Sequence, residues 1–236
     1  TETSGTDGLF SGKAGVVVRA TPNGNVYASY GTTVTPPGGS NFALSSAPNN
    51  QNNPNVKPQE SSNLEFGTKW DVLNGRLSLN GAAFHTINEN VLFTVDAAAV
   101  PPVFNQDDKQ RVNGVTLGAA GQITPDWQVL ASFRFLDSQN LTQNLANYGK
   151  DLTLTPRYSG IVWTTYRFAD KWIAGGGFRA TSEVFINAPN TIVAPGYHLV
   201  DALVEYAVNQ HLTLRLNVYN LTDEVYIRNV NNNGGR

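Results

Sequence analysis

The stretch Leu212-Thr213-Leu214-Arg215-Leu216-Asn217-Val218-Tyr219 decides the fold class. Aliphatic residues occupy every second position, with Thr213, Arg215, Asn217 and Tyr219 between them. Successive side chains of a strand point to opposite faces, so this period of two makes a strand with one apolar and one polar face. The same alternation recurs upstream. In Arg76-Leu77-Ser78-Leu79-Asn80 the leucines share a face, and in Trp127 to Phe135 the residues Trp127, Val129, Ala131, Phe133 and Phe135 do so. No segment shows a helical period of comparable strength.

Between these segments the connections alternate short and long. The short ones carry turn residues: Pro22-Asn23-Gly24, Asn74-Gly75, Thr124-Pro125-Asp126, Ala169-Asp170-Lys171 and Asn209-Gln210-His211. Asn-Gly takes up the positive backbone angles of a tight hairpin, and Pro followed by Asp or Asn starts a turn. The long ones are polar, running from Pro36 to Pro58, Ala97 to Asp107, Asn140 to Asp151 and Ser182 to Pro195. Short turns at one end and long loops at the other mark an outer-membrane β-barrel. Ten strands are predicted, near Phe10–Ala20, Asn25–Thr35, Ser62–Leu73, Arg76–Val95, Lys109–Gln122, Trp127–Ser138, Thr153–Arg167, Trp172–Thr181, Gly196–Val208 and Leu212–Val230. Tyr27, Trp70, Trp127, Phe168, Trp172 and Tyr206 lie beside the turns, where an interfacial girdle of aromatic rings is expected.

Composition points the same way. Of the 236 residues only 14% are Asp, Glu, Lys or Arg, against roughly 25% in an average soluble domain. Asn, Thr, Ser, Gln and Gly make up the difference, as in a sheet with one face in lipid and the other on a wet lumen. The net charge of −2 offers no basic surface for nucleic acid. With no cysteine there is neither a disulfide framework nor a thiolate metal site. No run approaches the ~18 to 20 apolar residues of a spanning helix, so any crossing of a membrane is made by strands.

Several segments resemble a known family. Phe10 to Pro37, with Pro22-Asn23-Gly24-Asn25-Val26-Tyr27-Ala28-Ser29-Tyr30, is similar to a strand–turn–strand of TonB-dependent siderophore receptors. Pro36-Pro37-Gly38-Gly39-Ser40-Asn41-Phe42-Ala43-Leu44 resembles a loop of the catecholate-receptor branch. Lys57-Pro58-Gln59-Glu60, Glu65-Phe66-Gly67-Thr68-Lys69-Trp70 and Asn74-Gly75-Arg76-Leu77-Ser78-Leu79 match the most recognisable barrel signature of that family. Arg111-Val112-Asn113-Gly114 resembles its Arg-x-x-Gly motif, although Thr116 stands where members often carry Glu. Asn217-Val218-Tyr219-Asn220-Leu221-Thr222-Asp223-Glu224-Val225-Tyr226 resembles the penultimate strand.

The resemblance implies an all-β, antiparallel up-and-down transmembrane barrel portion, residues 1–236 forming one domain of about ten strands from a 22-stranded plugged receptor. By the same resemblance the family's plug domain and last strand are expected to lie outside this stretch. It also implies a receptor in the outer membrane of a Gram-negative bacterium, embedded in outer-membrane lipid. The transported ligand would be a ferric catecholate siderophore, with TonB engaged through the plug, no covalent cofactor, no nucleic-acid partner and no enzymatic step.

Ferric catecholates are anionic and rimmed by aromatic rings, so cations and aromatic faces near the outer mouth are the candidate ligand contacts. These are Phe42, Phe104, Lys109, Arg111, Tyr148, Arg179 and Arg228. Lys57, Lys150 and the pair Asp107-Asp108 read as solvated loop charges. His85, His198 and His211 share no metal-ligand spacing, and no catalytic residue is assigned. His198 and Asp201, three apart on a strand, point to opposite faces. Gly175-Gly176-Gly177 lies mid-strand, where close packing explains it. A soluble β-rich binding module and a small outer-membrane barrel enzyme are the alternatives. The first would bury its apolar faces, and the second needs carboxylates and histidine converging at the outer rim.

Overall fold

The structure is a computed structural model. It describes residues 8–37, 44–46, 52–96, 103–143 and 147–228, and of residues 92–96 and 103–107 the backbone alone. Among the described residues the strands are β1 (Lys13–Thr21), β2 (Gly24–Thr35), β3 (Gln59–Val72), β4 (Leu77–Asp96), β5 (Val103–Thr124), β6 (Trp127–Asn140), β7 (Tyr158–Ala169), β8 (Trp172–Thr181), β9 (Val184–Phe185), β10 (Val193–Ala194), β11 (Tyr197–Asn209) and β12 (Leu212–Val218). Ten of them form one sheet in the order β1-β2-β3-β4-β5-β6-β7-β8-β11-β12, and every adjacent pair is antiparallel. The expected meander is therefore present. The sheet is open, with β1 and β12 as its edges. β9 and β10 pair only with each other, inside the long loop between β8 and β11.

The turns form for local reasons. Between β3 and β4, Leu73, Asn74 and Gly75 take positive φ angles of 53°, 60° and 80°, the left-handed region that Asn and Gly enter most easily. Between β11 and β12 the Asn209 side-chain oxygen accepts the backbone N–H of His211 and Leu212 at 2.9 and 3.1 Å, fixing the reversal as an Asx turn does.

Direct pairing carries a single apolar face across the sheet. On it lie Val26, Phe66, Leu79, Leu117, Phe133, Val162, Phe178, Val204 and Leu216, linked through successive registers. Leu77, Val129, Phe135, Leu212, Leu214 and Val218 share this face, and Ser78, Asn80, Arg134, Thr213, Arg215 and Asn217 share the other. The apolar side chains are not covered: Val16 is 65% and Leu216 64% exposed. A continuous bare apolar face is out of place in water and in place against lipid. We call it the outer face, and the opposite one lumenal.

Five sequence expectations change. β5 starts at Val103 rather than Lys109, inside the stretch expected to be a loop. The last strand ends at Val218, not Val230, because Asn220 and Asp223 adopt φ of 52° and 51° and turn the chain. β7 starts at Tyr158 rather than Thr153, after Leu154 has entered the left-handed region at φ 55°. Tyr27 leaves the predicted girdle: it pairs with Gly67 on the lumenal face and donates to Glu65 at 2.7 Å. Asp108 is buried rather than solvated, accepting from the Thr142 hydroxyl at 2.9 Å. On the outer face Trp172 stands against Tyr206 and Phe168, with ring centroids 4.4 and 6.3 Å away.

Candidate functional site

On the lumenal face, register alone assembles a row of polar side chains. Arg134 of β6 is paired with Thr116 of β5 and Ser159 of β7, and Ser159 with Thr181 of β8, which pairs with Tyr197 of β11. Arg179 lies two residues below Thr181, between Ile161 and Leu199. Together with Ser132 these residues, Leu199 apart, line a cleft of about 430 Å³. The two arginines differ in how they are held. Arg134 is exposed, with no ion-pair partner among the described residues. Arg179 donates to one oxygen of Asp201 through Nε at 3.2 Å and Nη2 at 2.9 Å, and keeps 43% of its side chain exposed.

The cleft therefore presents one unneutralised guanidinium, one shared guanidinium, four aliphatic hydroxyls and a phenol. Guanidinium groups are planar donors that meet anionic oxygens in pairs of hydrogen bonds, so the arrangement suits an anionic, oxygen-rich ligand. Lower on the same face Glu205 accepts from Arg215 at 2.6 and 2.8 Å, and the Lys69 ammonium lies 5.9 Å from the Tyr27 ring centre. Among the described residues no group of three or more His, Cys, Asp or Glu could hold a metal ion.

Of the candidate contacts read from the sequence, the structure brings Arg179 alone into this cleft. Lys109 pairs with Glu89 at 2.6 Å. Arg111 lies on the outer-face side of β5, where it holds Asp137 and Gln139, each at 3.1 Å. Tyr148 is exposed in the loop between β6 and β7, and Arg228 is exposed beyond β12. Phe42 lies outside the described residues, as does the side chain of Phe104. Arg134, Asp201 and Tyr197 were not among the candidates. Alternation already places Arg134 on the wet face, whereas Asp201 sits in the mixed run Leu199-Val200-Asp201-Ala202-Leu203 with nothing local to show its partner.

Residues 1–221 match the family model described as TonB dependent receptor-like, beta-barrel. The chain is 36% identical to the catecholate siderophore receptor Fiu of Escherichia coli K12, over 100% of this chain and 31% of Fiu. It is also 36% identical to the probable TonB-dependent receptor BfrD of Bordetella pertussis, over 94% of this chain and 31% of BfrD. Among solved structures it is similar to the closed form of the E. coli ferric-catecholate import receptor Fiu (TM-score 0.79, 35% identity, 91% of this chain, 31% of that one). The siderophore receptor PiuA of Acinetobacter baumannii gives the same TM-score at 31% identity, over 90% of this chain and 31% of PiuA. The chain thus spans about a third of the length of the relatives it matches.

Proposed function

We propose, because this chain belongs to the TonB-dependent receptor β-barrel family, that it supplies part of the wall of a transporter taking ferric siderophores across the outer membrane. Members of this family are β-barrels of the Gram-negative outer membrane, and the bare apolar face is the side in contact with lipid. Our reading of the ligand is a ferric catecholate: relatives of similar identity are catecholate receptors, and the lumenal cleft has the matching chemistry. That cleft is the observation that carries the proposal. Two guanidiniums and a row of hydroxyls stand on the wet side of a lipid-facing wall, where an anionic chelate replaces hydration with fixed donors.

In this reading residues 1–236 are one barrel portion of a larger receptor. Arg179 and Arg134 contact the chelate in the lumen and Tyr148 and Arg228 rim the mouth, while Phe42 and Phe104 stay candidate ligand contacts on the sequence reading alone. Lys109 and Arg111, engaged with Glu89, Asp137 and Gln139, contribute to the rim by holding its shape. Iron is cargo, no covalent cofactor takes part, and coupling to TonB runs through the plug domain of the whole protein. The work is transport rather than catalysis. The test is iron uptake by cells lacking their own ferric-catecholate receptors, given the complete gene that contains this stretch. We expect uptake of radioactive iron from a ferric catecholate when TonB is present, and none when it is deleted. Protein correctly inserted in the outer membrane, yet without uptake, would overturn the assignment.

A further inference from the structure

Asp201 has 5% of its surface exposed, and its two carboxylate oxygens serve different parts of the molecule. One accepts from Arg179 in the lumenal cleft. The other accepts the backbone N–H of Asn220 at 2.9 Å. Asn220 opens the turn that leaves β12: its side chain accepts from the Glu224 N–H and donates to the Glu224 carbonyl, both at 3.0 Å. The Leu221 N–H also donates to the Val200 carbonyl at 2.7 Å. Further along the same segment the Tyr226 ring lies 4.6 Å from Tyr197, centre to centre, and Tyr197 lines the cleft with Arg179. The contacts thus close a circuit from the cleft through a buried carboxylate to a segment at the long-loop end and back.

We propose that Asp201 is a positioning residue that relays the state of Arg179 to the segment 220–226. The inference rests on the cleft being the anion site proposed above. An anionic ligand bound by Arg179 competes with Asp201 for the same guanidinium. A buried carboxylate that loses its cation cannot stay charged and buried at little cost, so it turns toward water. That turn withdraws the acceptor that holds the Asn220 N–H. Occupancy of the lumenal cleft is thereby felt at the mouth, with no shift of the strands themselves.

The test is hydrogen exchange of the amides from Asn220 to Tyr226 in the full-length receptor. Without ligand, we expect Arg179→Met to exchange about tenfold faster there than the wild type. Arg179→Lys, which keeps the cation, should stay close to the wild type, as a role confined to packing would not require. With an iron(III)–catechol complex as probe, exchange in this segment should rise in the wild type and stay unchanged in Arg179→Met. Equal exchange in wild type and Arg179→Met without ligand would overturn the relay, whatever the probe does. A probe that fails to bind, with Arg179→Met still fast, would instead count against the cleft as the anion site and leave the structural link standing.

Discussion

At Gly177 the missing side chain is what gives Trp163 its place. The two residues are directly paired between β8 and β7, and a Cβ at Gly177 would overlap the indole ring. The same arrangement joins Tyr27 to Gly67 and Phe84 to Gly114 on the lumenal face. A large ring laid over a cross-strand glycine covers bare backbone and stays close to the wall instead of standing into the lumen. Gly177→Ala should therefore destabilise the receptor by about 1–3 kcal/mol, the range for overpacking a filled site, read as a lower midpoint of thermal unfolding in detergent. Adding Trp163→Leu should recover most of the loss, and a double variant no better than the single one would show that the ring is not the cause. Alternation told us which face Arg134 and Arg215 take, but not that Tyr27 lies over Gly67, since that depends on which residue register sets opposite it. The partner of Asp201 was hidden for a different reason: the nearest donor, Asn220, is nineteen residues away in sequence and meets it through a turn.

At the scale of the strand, the face assignment has a direct measure in Ala82 and Ala83, identical residues side by side on β4 and well away from its turn. Ala83 is paired with Phe66 and Val115 on the outer face, Ala82 with Gly67 and Thr116 on the lumenal one. A lysine on the lipid face near the bilayer midplane costs about 2–4 kcal/mol, whereas the lumen leaves the charge hydrated. Ala83→Lys should lose roughly that much in equilibrium refolding into lipid vesicles, and Ala82→Lys well under half of it. Equal losses, or the reverse order, would invalidate the outer and lumenal assignment. The strands themselves were legible because period-two alternation and turn residues report the same boundaries; β2 to β4, β6 and β8 begin and end within a few residues of expectation. Their outer ends were less legible. At Leu154 and Asn220 a left-handed residue stops the ladder within an otherwise strand-like composition. The short β9–β10 hairpin is held largely by the Asn187 side chain accepting the Thr191 and Ile192 N–H groups, both at 3.0 Å, a contact that hydrophobic patterning does not register.

For the molecule as a whole, the consequence of an open ten-stranded sheet lies at its edges. Both residues on either side of a ladder need partners, and the outward edges of β1 and β12 have none within the sheet. Unpaired backbone N–H and C=O groups cost several kcal/mol each in hydrocarbon, and an exposed edge templates pairing with another chain. Across the nine residues of β1 this outweighs any single side-chain contact described above. A sheet of this composition can enter a bilayer only with both edges paired, by further strands of one polypeptide, by another copy, or with each other. The absence of native cysteine makes the choice measurable, since introduced thiols have no competitors. Val16 on β1 and Leu216 on β12 both face outward. In residues 1–236 refolded alone in lipid vesicles, Val16→Cys with Leu216→Cys should give disulfide-linked ladders of two or more chains under mild oxidation. A crosslink confined to single chains would mean that the ten strands have closed on themselves. The absence of any crosslink in inserted protein would mean that edge pairing does not govern assembly.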